Sequence, residues 1–278
     1  MYKIIQYLAI IFFVVTMICS IIQWTSKHVN APRDTHFTEK YNSELGRLNT
    51  ISKLITYTDS LALVRNVNAE KMDKDYVDLL SEVIEYRFYH ASAEYDFGDN
   101  YIAYLMGELM WTNFKILVIP EEIIQRNKGI CNQQELVFQE ALKRKEYKVR
   151  SILLPEHFCT EVYYDSSWHF YDTDIEPNFD RSLSRPSVQK FLNDSTLILE
   201  VYKGRFSYTW PETPIDTTNY KETFDINRLL YSEINEYPAK HMKWFHLITN
   251  FLSNFVWLFF LIIAIVVQLM RNSRKKIS

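Results

Sequence analysis

The sequence predicts an α+β domain flanked by two transmembrane helices. Two long apolar runs lie near the ends of the 278-residue chain and are far more apolar than the stretch between them. The first half of that stretch places apolar residues three and four positions apart, which is typical of helices. One amphipathic helix near the middle is then followed by three segments rich in β-branched and aromatic residues, which indicate strands.

Composition narrows the classes of function. The chain is 47% hydrophobic and 15% aromatic with only 5 glycines, which favours a packed, ordered domain. A net charge of −3 provides no basic field, so we expect no nucleic-acid partner. Three cysteines are too few for a disulfide framework, and the sequence contains no C-x-x-C or H-x-x-x-H pair that would indicate zinc. The sequence therefore predicts neither a metal nor another cofactor.

Residues 1–24 are predicted to form an N-terminal transmembrane anchor. The run from Ile4 to Trp24 is uncharged and mostly aliphatic, and about 20 such residues cross a bilayer core of ~30 Å. A cleaved signal peptide would have a shorter apolar region followed by a small-residue cleavage site, and no such site follows here. We therefore expect an uncleaved anchor.

Residues 244–270 are predicted to form the second transmembrane helix. Trp244 and Trp257 suit an interfacial position, and the tail 271–278 is basic, with Arg271, Arg274, Lys275 and Lys276. The positive-inside rule places that tail in the cytoplasm. Two spans in the cell membrane then put both ends of the chain in the cytoplasm and the domain between them outside, either periplasmic or extracellular. The lipid bilayer is thus a predicted partner. Two buried core helices are the alternative, which we disfavour because the rest of the chain could not cover both.

Residues 25–128 are predicted to be the helical part of the extracytoplasmic domain. Apolar periodicity indicates helices over residues 37–56, after an Asp73 cap, and over residues 101–111. Pro120 suits the first position of a further short helix. We interpret this part mainly as packing scaffold.

Residues 129–180 change in character and form the predicted catalytic core. A helix beginning at Cys131 has one apolar side, and strands are predicted over residues 147–154, 158–165 and 167–173. Residues 181–243 are predicted to be a C-terminal extension with a strand at 196–202 and a short helix at 226–234. We find no motif that carries chemistry between Asp180 and Lys243.

The core contains the parts of a thiol-based active site. A cysteine nucleophile needs a base to take its proton, and the base needs a carboxylate to orient it. Cys131 lies at a helix start, where the free N–H groups and the dipole stabilise a thiolate. His157 follows Cys131 by 26 residues, and Asp172 follows His157 by 15 residues.

Strand geometry tests whether these side chains can meet. If the second and third strands turn on Asp165 and Ser166, paired positions sum to 331, and alternation places His157, Asp172 and Asp174 on one face. Asp174 then lies opposite His157, and Asp172 lies diagonal to it, within side-chain reach. Spacing alone leaves Asp174 as an alternative orienting residue.

The segment also matches a known pattern. It reads G-x-C, helix, strand, H-x-x-x-E-V, turn and W-x-x-x-D, and it resembles the transglutaminase-like superfamily, in particular membrane-anchored bacterial members. The residues that match are Gly129, Cys131, His157, Glu161, Val162, Trp168 and Asp172. The resemblance implies a papain-like α+β core in which a helix carrying the cysteine packs on an antiparallel sheet. It also implies Cys131 as nucleophile, His157 as base and Asp172 as its partner. Glu161 and Trp168 fill the matching non-catalytic positions, as residues that support the catalytic ones or the fold around them.

The resemblance implies acyl transfer through a thioester on a peptide or protein amide, by hydrolysis or transamidation, at the membrane surface of the cell envelope. Two other functions stay open. The same fold could serve a non-catalytic protein that binds peptide or glycan, or assembles with other envelope proteins. Alternatively, Cys131 and Cys159 could form a regulatory or exchanging disulfide. The remaining histidines, among them His90 and His169, are interpreted as bystanders.

Overall fold

The computed structural model describes residues 2–26, 40–68, 73–155, 157–203, 206–207, 213–214 and 223–277. Contacts divide the chain into two units, which we treat separately. The terminal unit comprises Met1–Asn30, Glu94–Leu117 and Ala239–Ser278, and the central unit comprises Ala31–Ala93 and Val118–Pro238.

The helices of the described residues are, in chain order, α1 (Tyr2–Thr25), α2 (Ile51–Val64), α3 (Lys74–Arg87), α4 (Tyr101–Leu109), α5 (Pro120–Ile123), α6 (Cys131–Arg144), α7 (Val188–Leu192), α8 (Ser195–Val201) and α9 (Lys240–Ile277). The strands are β1 (Lys148–Leu153), β2 (Phe158–Tyr164), β3 (Ser167–Tyr171), β4 (Phe206–Ser207), β5 (Thr213–Pro214) and β6 (Leu230–Tyr231). Short 3-10 helices cover Ser43–Arg47, Thr112–Lys115 and Ile226–Arg228.

Helices α1 and α9 of the terminal unit are each long and apolar enough to cross a membrane. They pack side by side and antiparallel. Gln6 Nε2 donates to Gln268 Oε1 at 2.8 Å near one end. The Ser20 hydroxyl donates to the carbonyl of Ser253 at 2.7 Å near the other. Because their side chains are otherwise largely exposed, the two helices have the apolar outer surface that a bilayer requires.

Residues 94–117 belong to the terminal unit, although the sequence placed them with the other helices of segment 25–128. Helix α4 begins after Asn100, whose side chain accepts from the backbone N–H of Ala103. The Asn100 amide also donates to Thr249 Oγ1 of α9 at 3.0 Å, and both residues are buried. A buried polar pair of this kind fixes α4 against α9.

The central unit contains an antiparallel sheet in the order β3-β2-β1-β6. Tyr164 pairs with Ser167 and Thr160 with Tyr171, so the predicted register, with positions summing to 331, is confirmed. Asp165 and Ser166 have φ values of 44° and 61°. Positive φ at both central positions is the requirement of the tight hairpin turn that fixes this register.

The two faces of the sheet are covered by different parts of the chain. Helix α6 packs on one face, where Gln139 Nε2 donates to Ser151 Oγ and Thr160 Oγ1 at 3.1 and 2.8 Å. Helices α7 and α8 cover the other face, around a cluster that includes Cys159, Phe191 and Tyr202. The structure is therefore α+β, as predicted, and the described helices α7 and α8 of the extension cover one side of the sheet.

Three predicted elements are wrong. The helix predicted over residues 37–56 falls partly outside the described residues, and the described part has a 3-10 turn before α2, which begins after its Thr50 cap. The strand predicted over residues 196–202 is helix α8, because Asp194 caps it and Ile198 and Val201 bury one side. The helix predicted over residues 226–234 is a 3-10 turn followed by β6, which pairs with the edge of β1.

Candidate active site

Cys131 is the first residue of α6. Its preceding residue Ile130 has extended backbone, and the side chain of Gln133 accepts from the Ile130 N–H at 3.2 Å. This arrangement fixes the start of the helix. The thiol therefore lies at the N-terminal end of the helix, where the first backbone N–H groups have no partner within the helix. Cys131 is partly exposed, whereas the side chains behind it are buried.

His157 and Asp172 form a buried pair. His157 Nε2 lies 2.7 Å from Asp172 Oδ2, and Asp172 is fully buried. The same carboxylate oxygen accepts the Tyr202 hydroxyl at 2.7 Å, and Oδ1 accepts the backbone N–H of Ile175 at 3.1 Å. Three donors thus surround one carboxylate, as a buried charge requires.

The pair favours a charged imidazole. Burial alone would lower the pKa of His157, but the negative charge of Asp172 and their hydrogen bond raise that pKa well above its ordinary value. Burial would likewise raise the pKa of Asp172, but the His157 charge and the donated hydrogen bonds hold it below its ordinary value. Burial and the Asp172 charge raise the pKa of Tyr202 well above its usual range, so its hydroxyl keeps the proton that it donates.

The Cys131 thiol lies beside this pair. Cys131 Sγ, one ring nitrogen of His157 and one oxygen of Asp174 all lie within 4.8 Å of one another. Since Asp172 occupies Nε2, Nδ1 is the nitrogen left for the thiol. The three residues predicted as a triad are therefore brought together, in the order thiol, imidazole, carboxylate.

Asp174, the alternative orienting residue, also lies near His157, with one carboxylate oxygen within 4.8 Å of a ring nitrogen. Strand β3 ends at Tyr171, so no strand pairing holds Asp174 opposite His157. Its carboxylate meets His90 Nδ1 at 2.8 Å and accepts Gln134 Nε2 at 2.5 Å. Asp172 is therefore the residue that is hydrogen-bonded to His157, and Asp174 binds a second histidine.

His90 was interpreted as a bystander, yet it lies in the site. The preceding Tyr89 donates its N–H to the carbonyl of Asn127 and accepts the N–H of Gly129, both at 3.1 Å. Gln133 binds both backbone groups of Ala93 on the other side. The loop that carries His90 is thus tied to the start of α6 at two points. Nothing in the sequence near His90 signals this, because the contact depends on chain segments 84 residues apart.

Cys159 lies behind the pair and is fully buried. Its thiol, Asp172 and His157 have ligand atoms within 4.8 Å of one another. Burial raises the pKa of the Cys159 thiol well above its ordinary value, despite the opposing charge of His157. Cys159 is therefore a neutral thiol at the inner wall of the site, whereas Cys131 occupies the accessible side.

Glu135 adds a second carboxyl that the sequence analysis did not single out. It lies one helical turn after Cys131 and is fully buried. Its Oε1 accepts the N–H and the hydroxyl of Thr173 at 2.6 and 3.0 Å. Burial and the negative charge of Asp172 raise the pKa of Glu135 to about 8. At neutral pH this group is mostly an uncharged acid, so it does not place a second negative charge beside Asp172.

Glu161 and Trp168 do not support the triad as the sequence predicted. Glu161 is fully buried and pairs with Arg150, and it also accepts the N–H of Val188 at 2.7 Å at the start of α7. The Arg150 guanidinium lies over the Trp168 ring, 4.4 Å from its centroid. The reason is strand geometry: Glu161 is four residues beyond His157, which is about 13 Å along a strand. These two residues build a separate cluster that anchors α7.

Tyr202 is a third residue of the site, after His90 and Glu135, that the sequence did not indicate. It lies in the extension where no chemistry was expected, at the end of α8. A lone tyrosine in a predicted strand gives no signal of a contact with a residue 30 positions earlier. The only available hint was the apolar periodicity of residues 195–202, which indicates a helix that buries one side.

The site residues also have the identities of metal ligands, so their spacing matters. Two ligands at 2.0–2.1 Å from a tetrahedral zinc lie about 3.3 Å apart. His157 Nε2 and Asp172 Oδ2 are closer, at 2.7 Å, which is a hydrogen-bond distance. Asp174, in the other possible ligand set, is held by His90 and Gln134. The expectation of no metal stays a prediction.

Comparisons of the chain with models of protein families, with curated proteins and with solved structures find no match. The resemblance to the transglutaminase-like superfamily therefore stays a prediction from the residues that carry it.

Proposed function

We propose that this protein is a membrane-anchored cysteine enzyme of transglutaminase-like type that transfers acyl groups from a peptide or protein amide. The observation that carries the proposal is the arrangement of Cys131 at a helix N-terminus beside His157, whose Nε2 lies 2.7 Å from the buried Asp172. A thiol, a base and an orienting carboxylate in this order are what nucleophilic acyl transfer requires.

The reaction follows from these positions. His157 takes the thiol proton, and the thiolate of Cys131 attacks the amide carbonyl carbon to give a tetrahedral intermediate. The C–N bond breaks as His157 returns the proton to the leaving amine, which leaves a thioester on Cys131. Water or a second amine then attacks the thioester, again with His157 as base, and the acyl product leaves as the thiol is restored. The first N–H groups of α6 lie beside Cys131 in the chain and would be available to stabilise the developing oxyanion.

The proposed location is the cell membrane, with α1 and α9 as its two spans. The antiparallel packing of these helices places residues 2–6 and 268–274 at the same end, where Arg271 donates to Gln6 and Arg274 lies over the ring of Tyr2. A basic cluster at that end favours the cytoplasmic side. The central unit, with Cys131, then acts outside the cytoplasm on substrates at the envelope.

A thiol-reactive probe tests the enzymatic proposal directly. We expect an iodoacetamide probe to modify Cys131 in the full-length protein and a His157→Ala variant to lose that modification at neutral pH. Cys159→Ala is the matched control, because its buried thiol should contribute little labelling. Equal labelling of Cys131 with and without His157 would contradict the proposal. Full biological function of a folded Cys131→Ala variant would instead favour a non-catalytic binding or assembly role.

A thiol-exchange function is the second candidate, because both thiols lie near His157. Oxidation would join Cys131 Sγ to Cys159 Sγ with the loss of two protons and two electrons to a disulfide or quinone acceptor. Peptide mapping without reduction distinguishes the two functions. A stoichiometric bridge between these residues in protein isolated from cells would favour the redox role over acyl transfer.

A further inference from the structure

We propose that the end of α4 forms a foot that dips into the membrane interface on the outer side of the two spans. The foot consists of Leu105, Leu109, Met110 and Trp111 in the terminal unit. The proposal depends on the proposed function in one respect, namely that α1 and α9 span the bilayer. The ligand is the lipid surface itself, not a protein partner.

The foot is an exposed apolar ridge. Leu105 and Leu109 lie one helical turn apart and are 41% and 80% exposed, while Met110 and Trp111, which follow, are 71% and 52% exposed. Contiguous large apolar side chains at the tip of a short hairpin mark a surface that another apolar phase covers. Tryptophan in particular favours the level of the lipid headgroups.

The hairpin that carries the foot is tied down at both of its ends. At its start, Asn100 is bonded to Thr249, and Gly98 lies so close to Ser26 that a β-carbon there would come within 2.6 Å of Ser26 Oγ. At its end, the Phe114 ring packs against Phe245 in a tilted arrangement, with ring centroids 4.7 Å apart. The foot therefore has a fixed height along α9.

That height can be read from the pairing of α1 with α9. Ser20 is level with Ser253 through their 2.7 Å hydrogen bond, and Trp24 reaches Asn254 at 2.6 Å. The apolar run of α1 ends four residues beyond Ser20, and Phe245 lies eight residues beyond Ser253 on α9. The Asn100–Thr249 contact is thus level with the end of the run, and the Phe114–Phe245 contact lies about 6 Å past it. A headgroup layer of roughly 5–7 Å on each side of the ~30 Å core covers that level.

The charges around the hairpin favour a neutral lipid surface. Lys115 is paired with Glu94 at 3.1 Å and with Glu108 at 2.6 Å, so the base of the foot carries no unpaired cation from that lysine. Apolar burial therefore supplies the attraction, as in other interfacial segments. The foot would hold α4, and through it α9, at a fixed depth.

Depth-dependent quenching in vesicles tests the proposal. We would replace Leu109 with an environment-sensitive fluorescent amino acid in the full-length protein and reconstitute it into phosphatidylcholine vesicles that carry spin labels in the headgroup or deep in the acyl chain. We expect strong quenching by the headgroup label, little quenching by the deep label, and a blue-shifted emission. The same probe at Phe259, midway along α9 and 60% exposed, should be quenched mainly by the deep label.

The outcomes separate the two proposals. If Phe259 is quenched by the deep label but position 109 by neither label, the proposed interfacial foot is wrong, whereas the assignment of α1 and α9 as spans is supported. If Phe259 also escapes the deep label, the spans themselves fail. Leu63, an exposed leucine of the central unit at 75%, is the matched control. Quenching at position 63 as strong as at 109 would overturn the foot, since exposure alone would explain the signal. A blue shift at 109 that needs an added protein partner would overturn it as well.

Discussion

The site contains two pairs of a histidine and an aspartate that differ in their surroundings. Both carboxylates come from the turn after β3, and both lie 2.7–2.8 Å from an imidazole nitrogen. Asp172 is enclosed by Tyr202 and the backbone of Ile175, and its histidine is buried. Asp174 is held by an amide of α6, and its histidine, His90, is partly exposed.

The two pairs are suited to different roles. A buried pair keeps its charge separation because surrounding donors replace water. The His90–Asp174 pair differs in that its histidine is 17% exposed, so water reaches one of its two members. We therefore assign the proton chemistry to His157 and Asp172, and the positioning of the α6 start to His90 and Asp174.

Replacement of each histidine by alanine should give the largest difference between the two pairs. We expect His157→Ala to lower the rate of acylation of Cys131 about 10³-fold, since general base catalysis typically contributes that much. His90→Ala should lower it only about 10-fold, through loss of positioning. Rates of Cys131 modification by a chromogenic ester measure both, with thermal unfolding to check that each variant folds. Equal losses in the two variants would contradict the assignment.

The two aspartates offer a smaller but more specific test. Asp172→Asn should slow acylation roughly 10²-fold, because the amide no longer favours the charged imidazole. The pKa of His157, raised in the native protein, should fall. The rate of Cys131 alkylation as a function of pH reports this change, and the high-pH part of that profile should move to lower pH. Asp174→Asn is the matched variant and should leave the high-pH part of the profile unchanged. A shift in Asp174→Asn but not in Asp172→Asn would reverse the roles of the pairs.

Tyr202→Phe removes one donor from the buried pair alone. We expect about a 10-fold loss of acylation rate, since a hydrogen bond to a charged group is worth about 1.5–3 kcal/mol and part of this is regained by rearrangement. Tyr164→Phe is the control, because Tyr164 is a buried tyrosine whose hydroxyl bonds to Tyr171 at 3.0 Å, away from Cys131. If both variants keep the native rate while folded, Tyr202 has no part in the chemistry.

Glu135→Gln should change the pH dependence of stability more than the rate. The folded-state pKa of Glu135 is raised to about 8, against about 4.3 in the unfolded chain. The native state therefore binds one proton more than the unfolded state between these values, and stability falls with rising pH by up to about 1.4 kcal/mol per unit. The glutamine variant has no ionisable group at this position, so its stability lacks this dependence on pH. We expect its advantage in melting temperature over the native protein to grow from pH 5 to pH 8. A constant difference across that range would show that Glu135 is already ionised.

Much of the fold was predictable because local patterns decide it. The turn at Asp165 and Ser166 fixes the register, and the alternation of strand residues then fixes which side chains share a face. Asp73 and Pro120 fulfil their predicted places at helix starts, since caps depend on a few neighbouring residues. Past the last strand residue, Tyr171, alternation no longer applies, so the hydrogen bonds of Asp174 could not be predicted from it.

The extension after residue 180 was the least predictable part. Its short elements have mixed propensities, and the partner surface decides between them. Residues 195–201 became a helix because they pack one side against the sheet, and Leu230 and Tyr231 became a strand because the edge of β1 was available. Arg185, buried and bonded to Asp78 of α3 at 2.8 Å, helps to hold the extension there.

The two apolar helices, the helix start at Cys131 and the hairpin that brings Asp172 to His157 follow from composition and from residues close together in the chain. Tertiary packing sets the remaining contacts: Asp174 binds His90, Tyr202 donates to the buried pair, and Glu135 lies behind it. Each of these contacts joins segments 30 or more residues apart. Such contacts are set by packing and by the need to satisfy buried polar groups, for which a single sequence carries no local signal.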